Sequence, residues 1–266
     1  MTNENNTAAE ITKELAKDLY EDAGHEIVKP TGKLVGLIPR AIQAALQPLE
    51  MWTMQREYNI AATKKLLEIK LAKIDPAKIS PPEPYVAVPA LQAISYCMDN
   101  EELRNMYANL LAKSMTDVVR NGVHPCFVEM IKQLCPDEAR ILRHIAKCGV
   151  IPIIDLCAEN EKHESIDLMH NFSDVGYACQ CESPNRVDEY IDNLTRLGLL
   201  ERPAYSSLVD KSQYEPLTQH EMVVGYKEIY TGRFADKPFI RVNEGFVRIT
   251  SLGVAFCKTC ISEDLR

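Results

Sequence analysis

The chain has 266 residues, a formal net charge of −8, and 46% hydrophobic against 26% charged side chains. Those balances are globular, excluding a disordered chain and an integral membrane protein as default classes, and the length allows two domains, each with its own core. The acid excess is even, with 14 basic and 17 acidic residues in 1–130 and 16 and 21 in 131–266, so neither half carries the basic surplus that phosphate-backbone binding usually needs.

Residues 1–23 are polar and partly helical in pattern, without the cationic and apolar blocks of a signal peptide. A cytoplasmic location is expected, with the nine cysteines serving as small buried thiols and no disulfide. Residues 24–74 read as an amphipathic helical region. Leu34, Ile38, Ile42, Leu49 and Trp52 recur at helical spacing, Arg40, Gln43, Gln47 and Glu50 fall opposite, and Pro39 and Pro48 interrupt the run. A core helix is the first reading. Membrane contact is the alternative, with those five apolar residues as the membrane candidates and association on activation as its consequence.

Five prolines in 75–89 predict an extended connector. Helices resume in 90–134, the first expected over Pro89–Met98 and the second over 100–119, with Asn100 as cap and Leu103, Met106, Tyr107, Leu110, Leu111 and Met115 on the buried face. His124 precedes Pro125 at a helix start, where a capping histidine is expected before a catalytic one.

The fold class expected is mainly α, an N-terminal helical domain followed over 135–266 by a winged helix-turn-helix with a small β-hairpin wing. Cys135-Pro136-Asp137-Glu138 starts its first helix, with Ala139, Leu142, Ile145 and Ala146 inward and Gly149 as terminator. Ile151–Leu156 is an extended segment, and Asn171–Cys181 a second helix. Ser183 caps a third helix with Val187, Tyr190, Ile191, Leu194 and Leu197 inward, and Leu199-Leu200-Glu201 leaves as a strand. Phe239–Val242 and Phe246–Thr250 are read as the wing, joined by Asn243-Glu244-Gly245, and Ser251–Ile261 as a last helix packed through Leu252, Val254, Ala255 and Phe256.

The third helix would be the recognition helix. From Glu182 to Arg196 it holds four acids and two arginines, and its outer face shows Asn185, Glu189, Asp192 and Arg196. Carboxylates facing a phosphate array are repulsive unless they read cytosine amines. Asn185 and Arg186 remain chemically suitable base readers, and Arg233, Lys237, Arg241 and Arg248 of the wing are offset by Asp236 and Glu244. Asn185, Arg186, Glu189, Asp192, Arg196, Arg241 and Arg248 are therefore candidate interaction residues, with protein favoured over nucleic acid as partner. Cys179-x-Cys181 and Cys257-x-x-Cys260 could supply four thiolates to zinc, but their spacing is not that of a ribbon or finger, and packing is the expected use; no metal or cofactor is predicted.

Four separated segments carry a resemblance: Asn109-Leu110-Leu111-Ala112, Val123-His124-Pro125-Cys126-Phe127-Val128-Glu129, Gln133-Leu134-Cys135-Pro136-Asp137-Glu138-Ala139, and Tyr190-Ile191-Asp192-Asn193-Leu194-Thr195-Arg196-Leu197-Gly198-Leu199. In these the chain, from about Gly24 to Thr250, resembles the Abi-alpha family, bacterial proteins named for abortive infection against bacteriophage. The resemblance implies a cytoplasmic role in phage defence and supplies no catalytic residues. Cys126 stands where serine is usual in the family.

The chain has no phosphate-binding glycine loop, no metal-type His/Glu spacing and no nucleophile elbow. The expected function is a non-enzymatic sensor or protein-interaction module, meeting a phage or host protein or forming a homo-oligomer. A membrane-perturbing effector through 34–52 and a DNA-binding regulator are the alternatives.

Overall fold

The computed structural model describes residues 54–72, 74–94, 100–116, 122–160, 164–233 and 239–262. The polar, partly helical segment 1–23 and the amphipathic stretch 34–52 lie outside them. The chain divides into two compact units, 1–134 with 258–266, and 135–257.

The first unit is helical: α1 (Met54–Leu71), α2 (Pro84–Ile94), α3 (Glu101–Ser114) and α4 (Cys126–Lys132). Thr63, Leu67 and Leu71, spaced by one helical turn, are the buried edge of α1. The connector is less extended than expected. Pro76–Lys78 forms a 3-10 turn capped by Asp75, Ile79 bridges to Thr116, and α2 begins at Pro84, not Pro89. Proline at a first helical position loses nothing, and the bond that Pro89 cannot donate would go to the carbonyl of Tyr85, which lies on the exposed face. Asn100 caps α3, its Oδ1 accepting from the Leu103 N–H at 3.0 Å. His124 acts as a cap too, with Nδ1 accepting from the Cys126 N–H at 3.2 Å.

α3 has a second task, visible only in three dimensions. After the last α-helix the chain forms a π-helical turn, Cys257–Ile261, whose carbonyls lack the usual helical partners. Asn109 and Lys113, one turn apart and almost fully buried, supply donors. Asn109 Nδ2 donates to the Cys260 carbonyl at 2.9 Å, and Lys113 Nζ to the carbonyls of Lys258 and, at 2.9 Å, Ser262. Lys113→Met keeps most of the apolar stem and removes these donors. It should lower the stability of this unit by about 2 kcal/mol, read by thermal or urea unfolding, and Lys113→Arg should lose less.

The second unit is a four-stranded antiparallel sheet with helices. Its elements are α5 (Pro136–Cys148), β1 (Val150–Glu159), β2 (Ser165–Phe172), α6 (Val175–Ala178), α7 (Val187–Arg196), β3 (Leu200–Glu201), α8 (Glu215–Thr218), α9 (Glu221–Arg233), β4 (Phe239–Ile249) and α10 (Ser251–Phe256). The strand order is β2-β1-β4-β3. α5 forms as expected, stopped by Gly149 at φ 81°, but Ile141 faces the core in place of Ala146, which is exposed.

Three expectations change here. The extended segment after α5 runs to Glu159 and turns into β2, so Asn171 and Phe172 end a strand, and the second helix shrinks to Val175–Ala178. Phe239–Ile249 is one unbroken strand, not a hairpin. It lies between β1 and β3, pairing Val150↔Arg248 through Glu159↔Phe239 on one side and Leu200↔Ile249 on the other. The ladder with β1 runs from Phe239 to Arg248 and β3 adds a second at Arg248 and Ile249; Gly245 has no positive φ, and the missing Cβ lets Ile153 approach to 3.3 Å of where it would be. α10 starts at Ser251 as expected, capped by Thr250, but Gly253 and Phe256 are buried while Leu252 and Val254 are exposed, because the helix packs through Gly253 against the Leu199 carbonyl.

Candidate interaction face

The outer face of α7 is set by the first turn of α5. Proline at Pro136 opens α5 with two carboxylates behind it, a favourable sign at the positive helix end. Both side chains are buried, and both reach α7 or its approach. Asp137 Oδ1 accepts from the Glu182 N–H at 3.0 Å, and Oδ2 from the Ser183 N–H at 3.0 Å and the Tyr190 hydroxyl at 3.1 Å. Arg140 Nη1 lies 2.6 Å from Oδ1. Glu138 accepts from the Cys135 N–H at 2.6 Å and from Asn193 Nδ2 at 2.7 Å.

Desolvation pushes the Asp137 carboxyl upward, but the donors from Glu182, Ser183 and Tyr190, with the Arg140 charge, outweigh it and hold it below its ordinary value. Burial and the Asp137 carboxylate push the Tyr190 hydroxyl up to about 12. Ser183 therefore enters α7 as a backbone donor; it makes no side-chain cap, and Pro184–Arg186 forms a 3-10 turn before Val187. Gly176 of α6 brings the two helices together, since a Cβ there would fall 2.6 Å from the Pro184 carbonyl oxygen.

A second polar group ties α7 to the sheet. Asn171, at φ 51°, donates its N–H to Asp155 Oδ1 at 2.9 Å and its Nδ2 to Asp192 Oδ1 at 2.8 Å. Arg202 donates to Asn171 Oδ1 at 2.8 Å and pairs with Asp155, which also lies 3.1 Å from His170. None of Asp155, Asn171 and Arg202 is marked by a local motif. The one sequence signal is asparagine at a strand end, a residue that tolerates the left-handed region.

The seven candidate residues fall into two groups. Asn185, Arg186, Glu189, Asp192 and Arg196 are exposed on α7 and its 3-10 entry, while Arg241 and Arg248 lie on β4. Every one has a partner within the chain. Asn185 Oδ1 accepts from the Tyr177 hydroxyl, and Arg186 forks onto Glu189 at 3.1 and 2.5 Å. That fork holds the Glu189 carboxyl below its ordinary value. Asp192 accepts from Asn171, and Arg196 donates to Asn193 Oδ1 at 2.6 Å. Arg241 pairs with Glu159 at 2.6 Å and Arg248 with Glu201 at 2.6 Å. Lys237, Asp236 and the side chain of Arg233 lie outside the described residues.

Leu34, Ile38, Ile42, Leu49 and Trp52 also lie outside the described residues. Among those described, no helix is long and apolar enough to cross a membrane. Cys179 and Cys181 follow α6, and burial pushes Cys181 up to about 12, with Asp137 adding to the shift. Cys257 and Cys260 are buried within the π turn, Cys257 likewise raised to about 12 by burial. Among the described residues no three His, Cys, Asp or Glu side chains are grouped as a metal site.

The molecule is thus mainly helical, with a small antiparallel sheet and an acidic helix face whose cations are internally paired. The chain belongs to the Abortive infection alpha family, whose model matches residues 55–260. Abortive infection, a form of phage defence, is the biology that this membership carries. No curated protein matches the sequence. Among solved structures the chain is similar to an uncharacterized protein from the hydrocarbon-degrading marine bacterium Alcanivorax borkumensis SK2, at 16% identity and a TM-score of 0.36, over 51% of this chain and 92% of that one.

Proposed function

We propose that this protein serves phage defence as a sensor or protein-interaction module without chemistry of its own, meeting its partner through the outer face of α7. The observation that carries the reading is the internal pairing of the cations. A DNA-reading helix keeps arginines free for phosphate and base edges, whereas Arg186, Arg241 and Arg248 are each neutralised by a carboxylate of the same unit. Glu182, Asp188 and Asp192 leave the face acidic.

The winged-helix reading of this unit rests on element order. Helix α5, strand β1, helices α6 and α7, then β3 and β4, with β4 central between β1 and β3, follow that plan. The β1–β2 pair and residues 202–233 are then insertions on that plan. A protein surface is the use of such a unit that its charge favours.

The test has two arms. Mixed-sequence DNA at low salt should not be retarded by the protein; tight retardation that salt abolishes would make it a DNA-binding regulator. During infection, a tagged chain should capture a phage or host protein, or a second copy of itself, and Glu189→Lys with Asp192→Lys should cut that capture about tenfold, on the scale of an interface charge reversal. Unchanged capture by a folded double variant would remove α7 from the interface.

A further inference from the structure

We propose that the outer edge of β2, which has no strand partner among the described residues, is a docking groove for an extended, basic and apolar segment of a protein partner, which adds as a fifth strand to the sheet. This rests on the interaction-module reading and places a second contact beside α7.

β2 is at the end of the strand order and pairs only with β1 among the described residues. A cleft of ≈ 360 Å³ runs along it, lined by Asp167, Leu168, Met169 and His170. The pairing register with β1 slips between Phe172 and Met169 and again between Met169 and Asp167, so β2 is bulged along the cleft and consecutive side chains turn toward it. The outer N–H and C=O groups of β2 have no strand partner among the described residues and border this cleft. The start of α7 forms one wall, through Asn185 and Asp188, and Met222 and Tyr226 of α9 form the other. Ile166, next along the strand, is 63% exposed and would be covered by an incoming strand. Backbone pairing at a sheet edge, with pockets for alternate side chains, is an established way to hold an extended peptide.

Charge selects the occupant. Asp167 and Asp188 line the cleft, and no lysine or arginine does. The one imidazole, His170, lies 3.1 Å from Asp155 and 3.4 Å from Arg202 Nη1, a cation that Asp155 itself pairs. An arginine or lysine stem would lie along Met222 and Met169, its head between the carboxylates and within reach of the Tyr226 ring. A second copy of β2 would bring Asp167 against the same acids, so the charge that guards this edge against self-pairing is the charge that admits a basic strand.

The probe is a short acetylated peptide alternating valine with arginine, titrated into the full chain by calorimetry. Binding is expected, and it should fall about tenfold or more when glutamate replaces arginine, the usual penalty of like charge at a polar contact. A similar loss is expected when alternate peptide amides are N-methylated, which removes the edge pairing, or when the chain carries Asp167→Lys with Asp188→Lys. Should that double variant fail to fold, Asp167→Lys alone, at an exposed strand position, carries the same test. No binding by the arginine peptide, or binding indifferent to N-methylation or to charge reversal, overturns the proposal. Partner capture that depends on Glu189 and Asp192 would survive that outcome, so the groove and the α7 face fail separately.

Discussion

Replacing Asp137 by alanine is expected to cost the second unit about 3 kcal/mol, because the backbone donors of Glu182 and Ser183 and the Tyr190 hydroxyl lose their acceptor together. Thermal unfolding followed by circular dichroism would read it as a drop on the order of 10 °C. Tyr190→Phe removes one of these bonds and should cost about 1 kcal/mol. The effect has a pH signature. The Asp137 carboxyl is held below its ordinary value in the fold, so its contribution is complete above the usual carboxylate range and is lost as pH falls through the folded value. The gap between wild type and Asp137→Ala should therefore close in acid. A gap that stays constant down to the acid transition would show that the carboxylate's hydrogen bonds do not carry the effect.

The second large effect is expected at Gly253. A Cβ there would sit 2.1 Å from the Leu199 carbonyl oxygen and 2.8 Å from Ile249 Cγ1. That carbonyl already accepts from the Thr250 N–H at 3.1 Å and belongs to the turn that leads from α7 into β3. Backbone cannot give as a side-chain tip can, so Gly253→Ala should cost about 3 kcal/mol, at the upper end of overpacking. Hydrogen exchange should rise most at Leu199–Glu201 and at the start of α10. Ser251→Ala, at an exposed neighbour, should leave both unchanged.

Helices with one apolar face were legible because their period survives in one dimension. α5 and α7 bury residues at helical spacing, whereas α3 is buried on every side from Met106 to Ser114, beyond the one face expected of it. β2 escaped because its residues are mostly exposed at the start and buried only at Asn171 and Phe172, so no alternation marks it. β4 was misread for the opposite reason. Asn243-Glu244-Gly245 has the composition of a turn, and the unbroken ladder with Asp155, Ile154 and Ile153 of β1 keeps it extended. The outer face of α7 follows from the helical period, but the partners of the β4 arginines do not. Arg241 meets Glu159 and Arg248 meets Glu201 across strands far apart in sequence. The roles of Asn109 and Lys113 were hidden in the same way, since their acceptors lie about 150 residues away.

The central position of β4 also dictates an order of assembly. β1 and β2 form a local hairpin, but β1 can pair with β4, and β4 with β3, only after Phe239–Ile249 has been made. Such non-local closure is slow and comes late. During synthesis the sequence of α7 leaves the ribosome long before the strand that completes its sheet. A nascent or truncated chain ending before Phe239 would carry α7 without the strand that completes the sheet beside it, so the proposed contact through α7 would be supported only once the last strand is in place.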